Sequence, residues 1–174
     1  MNRIALALIA GLSFAAPAYA QTAAPAAPAA TASDAAAIDA TLDAVYAVIS
    51  GPAGQARDWD KMRSLFTPEA RLSAIGSKGV RGGGVEDYIK NSGPFLTKEG
   101  FTERELARRI EVYGNLAHAW SSYDGETTGG KLKVRGINSF QLVRQPDGSW
   151  KVFSILWQQE TPQIPLPADM AGNR

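Results

Sequence analysis

The only histidine of this chain, His118, is the side chain best suited to proton transfer near neutral pH. Alternation along the run that starts at Leu116 places His118 on the same strand face as Trp120 and Ser122. In a pocket, a single imidazole can act as a general base, so His118 is the candidate catalytic residue. The alternative is a structural or surface role, which is the commoner one for a single histidine on a strand.

Two arginines have the chemistry of ligand binding. Arg135 begins a strand that is expected to reach the mouth of a pocket, where its guanidinium could hold a carboxylate or phenolate. Arg108 shares a face with Leu106 and Ile110 and could do the same. For both arginines, the alternative is a solvated or salt-bridged side chain.

Aromatic residues could line a cavity suited to a flat apolar ligand. The candidates are Tyr46, Trp59, Tyr88 and Trp120. Ordinary core packing would place aromatic side chains at the same positions, and the sequence does not separate the two interpretations.

Residue counts and spacing exclude several kinds of site. The chain has no cysteine and a single histidine, which excludes disulfides, thiolate metal sites and histidine-cluster metal sites. The triplet Gly82-Gly83-Gly84 lacks the Gly-Lys-Ser/Thr spacing of a phosphate loop and indicates a flexible loop. Asp58 and Asp60 flank Trp59 at a helix start, where acids typically cap the helix rather than form a catalytic pair. We therefore expect no metal and no cofactor.

The elements that position these residues begin with helices. Ser33 or Asp34 offers an N-cap, and an apolar stripe at helical spacing continues to Gly51-Pro52. The stripe consists of Ile38, Leu42, Val45 and Ile49. A second helix is expected to begin at Asp58 and to end at Thr67-Pro68.

The middle of the chain is rich in glycine. A short strand is expected from Arg71 to Ile75, followed by a loop over 76–84 that regular structure tolerates poorly. A third short helix is expected from Val85 to Asn91.

The C-terminal half is expected to form an antiparallel sheet. Glu103 to Ile110 has a helix-favouring composition, but its alternation indicates a strand with one wet face. The strongest signal is a long hairpin over 134–157, whose two strands flank a Pro146-Asp147-Gly148 turn. Helices followed by about four antiparallel strands predict an α+β fold, with the helices packed on one face of a curved sheet.

The last strand is apolar on both faces. Val152 and Leu156 are expected to face the helices. Phe153, Ile155 and Trp157 are then expected to face away from them. Because that second face would be exposed in a monomer, we expect a homodimer through Phe153, Ile155 and Trp157.

The N-terminal residues indicate export. Residues 1–20 combine Arg3, an apolar run and an Ala18-Tyr19-Ala20 cleavage site, which predicts a cleaved signal peptide and a periplasmic or secreted protein without membrane insertion. An Ala/Pro-rich disordered linker (21–33), one domain (34–160) and a flexible tail (161–174) are expected to follow. Loss of Arg3 brings the 18 basic residues level with the 17 acidic ones, and this balance argues against nucleic-acid binding.

Several segments occur in a fairly specific order and spacing. They are a long N-terminal helix, Arg57-Asp58-Trp59-Asp60, Leu65-Phe66-Thr67-Pro68-Glu69-Ala70, Val112-Tyr113-Gly114-Asn115-Leu116-Ala117, and Arg135-Gly136 leading to Asp147-Gly148-Ser149-Trp150-Lys151-Val152. Together they resemble the nuclear transport factor 2-like superfamily, which includes SnoaL-like polyketide cyclases and ketosteroid isomerase. The resemblance spans residues 38–160 and implies a cone-shaped half-barrel, in which a bent sheet wraps around helices and leaves a pocket.

The resemblance also implies where a site would lie. Isomerase-like members use a carboxylate base opposite a tyrosine and acid pair, and many members carry a histidine on the last strand. The corresponding inward-facing positions here are Ser154 and Leu156, which supply neither group. Ser154 is therefore a candidate ligand-binding residue only.

Three functions are compatible with these features. The first is a periplasmic domain that binds a small apolar or aromatic molecule in an apolar pocket. The second is a cofactor-free lyase, isomerase or cyclase, in which His118 moves a proton on a cyclic ketone or polyketide-like substrate. The third is a structural or assembly partner in the cell envelope. A pocket holding His118 near a second polar group would favour the enzyme, whereas a filled core would favour the assembly role.

Overall fold

The computed structural model describes residues 31–172. The predicted signal peptide (1–20) and most of the predicted linker (21–33) lie outside the described residues. Among the described helices, none is both long and apolar enough to cross a membrane.

The first helix, α1 (Ala32–Ile49), confirms the predicted amphipathic helix. It begins slightly earlier than expected because Thr31 is the N-cap, and the Thr31 hydroxyl accepts a hydrogen bond from the Asp34 amide at 3.1 Å. The predicted apolar stripe is buried at all four positions, Ile38, Leu42, Val45 and Ile49.

The second helix, α2 (Trp59–Leu65), is capped by Asp58 as predicted, with the carboxylate accepting from the Lys61 amide at 2.8 Å. It ends before the predicted Thr67-Pro68, because Phe66 already begins a strand. The third helix, α3 (Val85–Glu99), runs past the predicted end at Asn91 and contains Pro94.

One mixed sheet holds all the described strands. They are β1 (Phe66–Gly76), β2 (Gly79–Gly83), β3 (Thr102–Tyr113), β4 (Leu116–Glu126), β5 (Lys133–Arg144) and β6 (Trp150–Gln159). Their order across the sheet is β2-β1-β6-β5-β4-β3, and only the β1–β6 pair is parallel. The strand expected over Glu103 to Ile110 and the long hairpin over 134–157 are both confirmed.

The glycine-rich stretch corrects one prediction. Instead of a loop throughout 76–84, residues Gly79–Gly83 form β2, which pairs antiparallel with β1. Glycine at Gly82 permits this pairing, because a Cβ there would lie 2.2 Å from the Leu72 carbonyl oxygen. Because glycine has a low strand propensity, the composition of this segment did not indicate a strand.

Two β-bulges reverse the facing that simple alternation predicts. In β3 the register shifts between Glu105 and Ala107, so both Glu103 and Ile110 can face the helices. In β6 the shift lies opposite Gln141/Leu142 and makes Phe153 the extra residue. Phe153 faces away from the helices as predicted, but the predicted facing of Ser154 to Trp157 was wrong.

The sheet is curved and open, and its concave face covers the helices. This is the α+β half-barrel that the sequence predicts, with α1 crossing the sheet and the core between the two layers. Phe140, Leu142 and Val152 are fully buried there; Phe140 contacts Tyr46 of α1, and β6, which carries Val152, packs on α1 and α2.

The C-terminal segment differs from the expected flexible tail. After β6, a short 3-10 helix (Ala168–Met170) packs against β3, and Met170 is only 1% exposed. Arg135 fixes this segment by donating to Glu160 at 3.1 Å and to the Ala171 carbonyl at 3.0 Å. The described part of the tail is therefore packed on the domain.

Candidate functional site

An open cavity of about 230 Å³ lies between the helices and the concave face of the sheet. Most of its lining is aliphatic or aromatic. The apolar lining comprises Val45, Ile49, Met62, Phe66, Leu72, Phe95, Leu96, Phe101, Leu132, Val134, Phe140, Ile155 and Trp157. Exposed Phe95, Leu132 and Gln159 mark the side where the cavity meets solvent.

Few polar side chains reach this cavity. They are Tyr46, Tyr88, Ser92, Glu103, Tyr123, Asn138 and Gln159. Among residues 31–172, Glu103 is the only carboxylate in the lining, and no basic side chain from these residues contributes to it. A mostly apolar cavity with a few convergent polar groups is the usual form of a small-molecule site.

Glu103 has an altered acidity. Burial raises its pKa to about 7, the Asp124 charge adds to that effect, and a hydrogen bond from Asn138 opposes it. The Asn138 Nδ2 lies 3.5 Å from Glu103 Oε1. A carboxyl with this pKa exists in both protonation states near neutral pH, so it can accept or donate a proton there.

Tyr46 is held by a directed chain of hydrogen bonds. Ser121 donates to a carboxylate oxygen of Glu105, so Ser121 Oγ must accept the Tyr46 hydroxyl proton across 2.6 Å. Tyr46 Oη in turn accepts from Asn138 Nδ2 at 3.0 Å. Burial raises the pKa of Tyr46, which keeps the phenol neutral. Tyr46 thus fixes the Asn138 amide beside Glu103.

An ion-pair cluster supports this chain from outside the cavity. Arg108 contacts Glu105 at 2.6 Å and Asp43 at 2.7 Å, and it also pairs with Asp39. The Arg108 side chain is mostly buried, so these carboxylates hold it between α1 and β3. Arg108 therefore positions the chain and does not reach the ligand space, although the sequence suggested a ligand contact for it.

The architecture matches solved structures, whereas neither a family model nor a curated protein sequence matches this chain. An NTF2-like protein of unknown function from Shewanella baltica OS155 is 19% identical, with a TM-score of 0.54, over 74% of this chain and 95% of that one. The chain has the nuclear transport factor 2-like fold.

Two further solved structures with this fold are similar to the chain. A hexachlorocyclohexane dehydrochlorinase of the LinA type 3 from Novosphingobium barchaimii LL02 has 15% identity and a TM-score of 0.59, covering 78% of this chain and 94% of its own. A protein of unknown function with a cystatin-like fold from Nostoc punctiforme PCC 73102 has 14% identity and a TM-score of 0.60, covering 79% and 98%. At these identities, the likeness shows the fold alone.

In this nuclear transport factor 2-like domain, two of the predicted ligand-binding residues line the cavity. They are Tyr46 on α1 and Tyr88 on α3. Trp59 packs beside the core instead, where its ring fills the space left by Gly93. Trp59 therefore supports the wall of α3 from behind.

The remaining predicted site residues lie elsewhere. His118 and Trp120 lie on the convex face of β4, where the two rings pack 6.1 Å apart and His118 Nε2 is 3.2 Å from Ser139 Oγ. Ser154 is also on that face, because of the β6 bulge. Arg135 pairs with Glu160. The structure does not bring these four residues into the cavity.

The polar residues of the cavity other than Tyr46 and Tyr88 were not predicted from the sequence. Glu103 was assigned to a wet face by strict alternation, which the bulge after Glu105 breaks. Asn138 and Tyr123 were not predicted as site residues, because a single polar residue in a strand forms no recognisable motif. One available signal was an isolated Asn between the apolar Ile137 and Phe140 in a strand expected to be central.

Metal binding has no evident site in this cavity. Within residues 31–172, no group of three or more His, Cys, Asp or Glu side chains is arranged to hold an ion. The expected absence of a cofactor stays a prediction.

Proposed function

We propose that this nuclear transport factor 2-like domain binds a small, mostly apolar organic molecule in the cavity beneath the curved sheet. The observation that carries the proposal is the open cavity of about 230 Å³, with a largely aromatic and aliphatic lining to which the described part of the chain contributes one carboxylate, Glu103. An open cavity supports this function over the structural or assembly role, for which a filled core would suffice.

Ligand binding can be tested by blocking the mouth of the cavity. Ser92 is a partly exposed lining residue of α3, one turn before the exposed Phe95, so Ser92→Trp should fill the cavity on this side without removing a core side chain. A panel of neutral apolar aromatic compounds should raise the melting temperature of the protein, and Ser92→Trp should abolish that rise.

A matched control is Ser77→Trp, which adds the same side chain to the exposed turn between β1 and β2. This variant should respond to the compounds as the wild type does. If no compound of the panel stabilises the wild type, or if Ser92→Trp responds equally well, the proposed function is wrong.

A second candidate function is proton transfer on a bound ketone, which extends the lyase, isomerase or cyclase alternative. The specific observation in its favour is the pKa of Glu103, raised to about 7 by burial inside the cavity. Proton abstraction next to a carbonyl needs a base of this kind within reach of the carbon acid. Glu103 would be that base in place of His118, which is on the convex face.

This activity can be measured as deuterium exchange at the α-carbon of a cyclic ketone such as cyclopentanone, followed by NMR. The protein should accelerate the exchange, Glu103→Gln should remove about a hundredfold or more of the acceleration, and His118→Ala should leave it unchanged. If the ketone binds but its deuterium exchange is not accelerated, the protein does not catalyse this proton transfer and only the binding function remains.

A further inference from the structure

We infer that the ligand of the cavity is a small hydrophobic amine, whose ammonium group pairs with Glu103 while its apolar body fills the cone. This inference rests on the proposed function of the cavity as a ligand-binding site. It adds the chemical class of the ligand, which neither the fold nor the similar structures provide.

The charge of Glu103 is not balanced by a neighbouring cation in the cavity lining. Of the residues that the structure describes, Glu103 is the only carboxylate that lines the cavity, and none of the lining residues is an arginine, lysine or histidine. Within residues 31–172, the Glu103 side chain has a single hydrogen bond, the 3.5 Å contact from neutral Asn138. A partly buried carboxylate without a counter-ion is unfavourable, and a cationic ligand would supply the missing charge.

Aromatic side chains surround the Glu103 carboxyl. Tyr46, Tyr88 and Tyr123 line the same cavity, and the Glu103 charge contributes to raising the pKa of each of these phenols, so all three lie within its electrostatic reach. Aromatic rings attract a cation placed over their faces, and several rings around one carboxylate are typical of sites for organic ammonium groups.

The protons of Tyr46 and Asn138 are directed to partners within the protein. The Tyr46 proton is directed to Ser121, so Tyr46 offers its ligand only the oxygen acceptor. One Asn138 amide proton is directed to Tyr46 and the amide also faces Glu103. Around Glu103, Tyr46 therefore presents an acceptor and the ionised carboxyl presents negative charge, which suit an ammonium donor and disfavour a carboxylate.

The apolar part of such a ligand also has a place. Phe66, Leu72 and Phe140 form the inner lining, and Ile155 and Trp157 of β6 continue it toward the solvent side. The volume of about 230 Å³ admits a molecule with one ring and a short amine chain, and not a large polycyclic one.

The test compares molecules of equal shape and different charge. We would titrate the intact domain with 2-phenylethylamine, neutral 2-phenylethanol and anionic 3-phenylpropionate by calorimetry at about pH 8, where a carboxyl with a pKa of about 7 is mostly ionised. The amine should bind about tenfold or more tightly than the alcohol, and the carboxylate should bind most weakly.

Glu103→Gln keeps the shape of the side chain and removes its charge. In this variant, the amine and the alcohol should bind equally, at the level of the alcohol in the wild type. Glu111→Gln is the matched control, because Glu111 lies on the same strand but is exposed on the other face. It should retain the amine preference, and thermal melting should show both variants folded.

The outcomes separate the two proposals. If the alcohol binds and the amine binds no better, or if Glu103→Gln keeps the preference, the ligand is not an amine while the cavity remains a binding site. If none of the three molecules binds and the neutral panel also fails to stabilise the wild type, the proposed function is wrong and the amine inference falls with it.

Discussion

Glu103 sits where the protein favours its neutral form over its charged form. Its pKa in the folded state is about 7, above the ordinary 4.5 expected for the unfolded chain, so the stabilisation present at low pH is lost as the pH rises through about 7. Glu103→Gln has no such ionisation, so the variant should gain stability relative to the wild type between about pH 4.5 and 7, by roughly 3 kcal/mol.

Urea unfolding of both proteins from about pH 4 to pH 8 measures this difference in the free energy of unfolding. Glu111→Gln, which removes an exposed carboxylate from the same strand, should give a curve that parallels the wild type. If the free energy of unfolding had the same pH dependence in the wild type and in Glu103→Gln, the pKa of Glu103 would not be raised by burial.

The hydroxyl of Tyr46 holds two buried polar partners at once. In Tyr46→Phe, Ser121 loses its donor and Asn138 loses its acceptor, so the free energy of unfolding should fall by about 1–3 kcal/mol. Chemical unfolding measures the loss. Tyr113→Phe is the control, because Tyr113 is 67% exposed and its hydroxyl should matter by less than about 0.5 kcal/mol. A similar small effect for both variants would contradict the proposed chain.

At the scale of the elements, the buried guanidinium of Arg57 joins the C-terminal end of α1 to the C-terminal end of α3. Arg57 is 7% exposed and donates to the carbonyl oxygens of Ile49, Gly51, Gln55 and Leu96 at distances from 2.6 to 3.1 Å. Carbonyls near helix C-termini carry partial negative charge, so Arg57 finds its compensation in backbone dipoles rather than in a carboxylate.

A lysine cannot reproduce this fork of donors. Arg57→Lys should therefore lower the free energy of unfolding by roughly 2–3 kcal/mol and reduce the protection of amides against hydrogen exchange at the C-terminal end of α1. Urea titration and amide exchange measure the two effects. Arg71→Lys, on the exposed face of β1, should be close to neutral, and an equally mild Arg57→Lys would show that the four carbonyls are satisfied by water instead.

The close contact between α2 and α3 requires a small residue at position 93. Gly93 in α3 lies against the Trp59 ring, where a Cβ would stand 3.0 Å from a ring carbon. This contact brings α3 close to α2 and places Tyr88 and Ser92 over the cavity. The helix thus continues through Ser92-Gly93-Pro94, a run that by propensity alone favours an end at Asn91.

For the whole molecule, part of the exposed apolar surface lies on the convex face of the sheet. Leu116, Phe153 and Leu156 are 50%, 45% and 39% exposed there, whereas Ile155 and Trp157 line the cavity. We propose that the expected homodimer forms through this face. Its interface would contain Phe153 and Leu156, whereas the sequence predicted Phe153, Ile155 and Trp157.

Sedimentation velocity at micromolar concentration should then show a dimer, and Phe153→Asp should shift it to the monomer. Val80→Asp is the control, because Val80 is 64% exposed but lies on β2 at the far edge of the sheet. A monomeric wild type would show that the convex face does not pair two copies.

The localisation of the protein is also testable as a whole-chain property. We propose that residues 1–20 direct export and are removed, so mass spectrometry of the protein from a periplasmic fraction should give an N-terminus at Gln21. Ala20→Arg at the cleavage position should leave the full-length chain. A wild-type protein that retains Met1 in the cytoplasmic fraction would contradict export.

The sequence by itself determined most of the secondary structure and its order; β2 and the second half of α3 are the exceptions. The stripe of Ile38, Leu42, Val45 and Ile49, the Asp58 cap and the Pro146-Asp147-Gly148 turn are local signals, and local signals survive folding because they depend on near neighbours. From these elements in this order, the layered α+β half-barrel follows, since the helices and the sheet must bury their apolar faces against each other.

Only the tertiary structure decided what faces the cavity. Strand facing depends on register, and a single extra residue at each of two bulges moved Glu103, Ile155 and Trp157 to the concave side and Ser154 to the convex side. Bulges arise from pairing with a neighbouring strand, which no window of sequence contains. For the same reason, the convex position of His118 became evident only when β4 was placed in the sheet, because alternation groups residues by face without saying which face is covered.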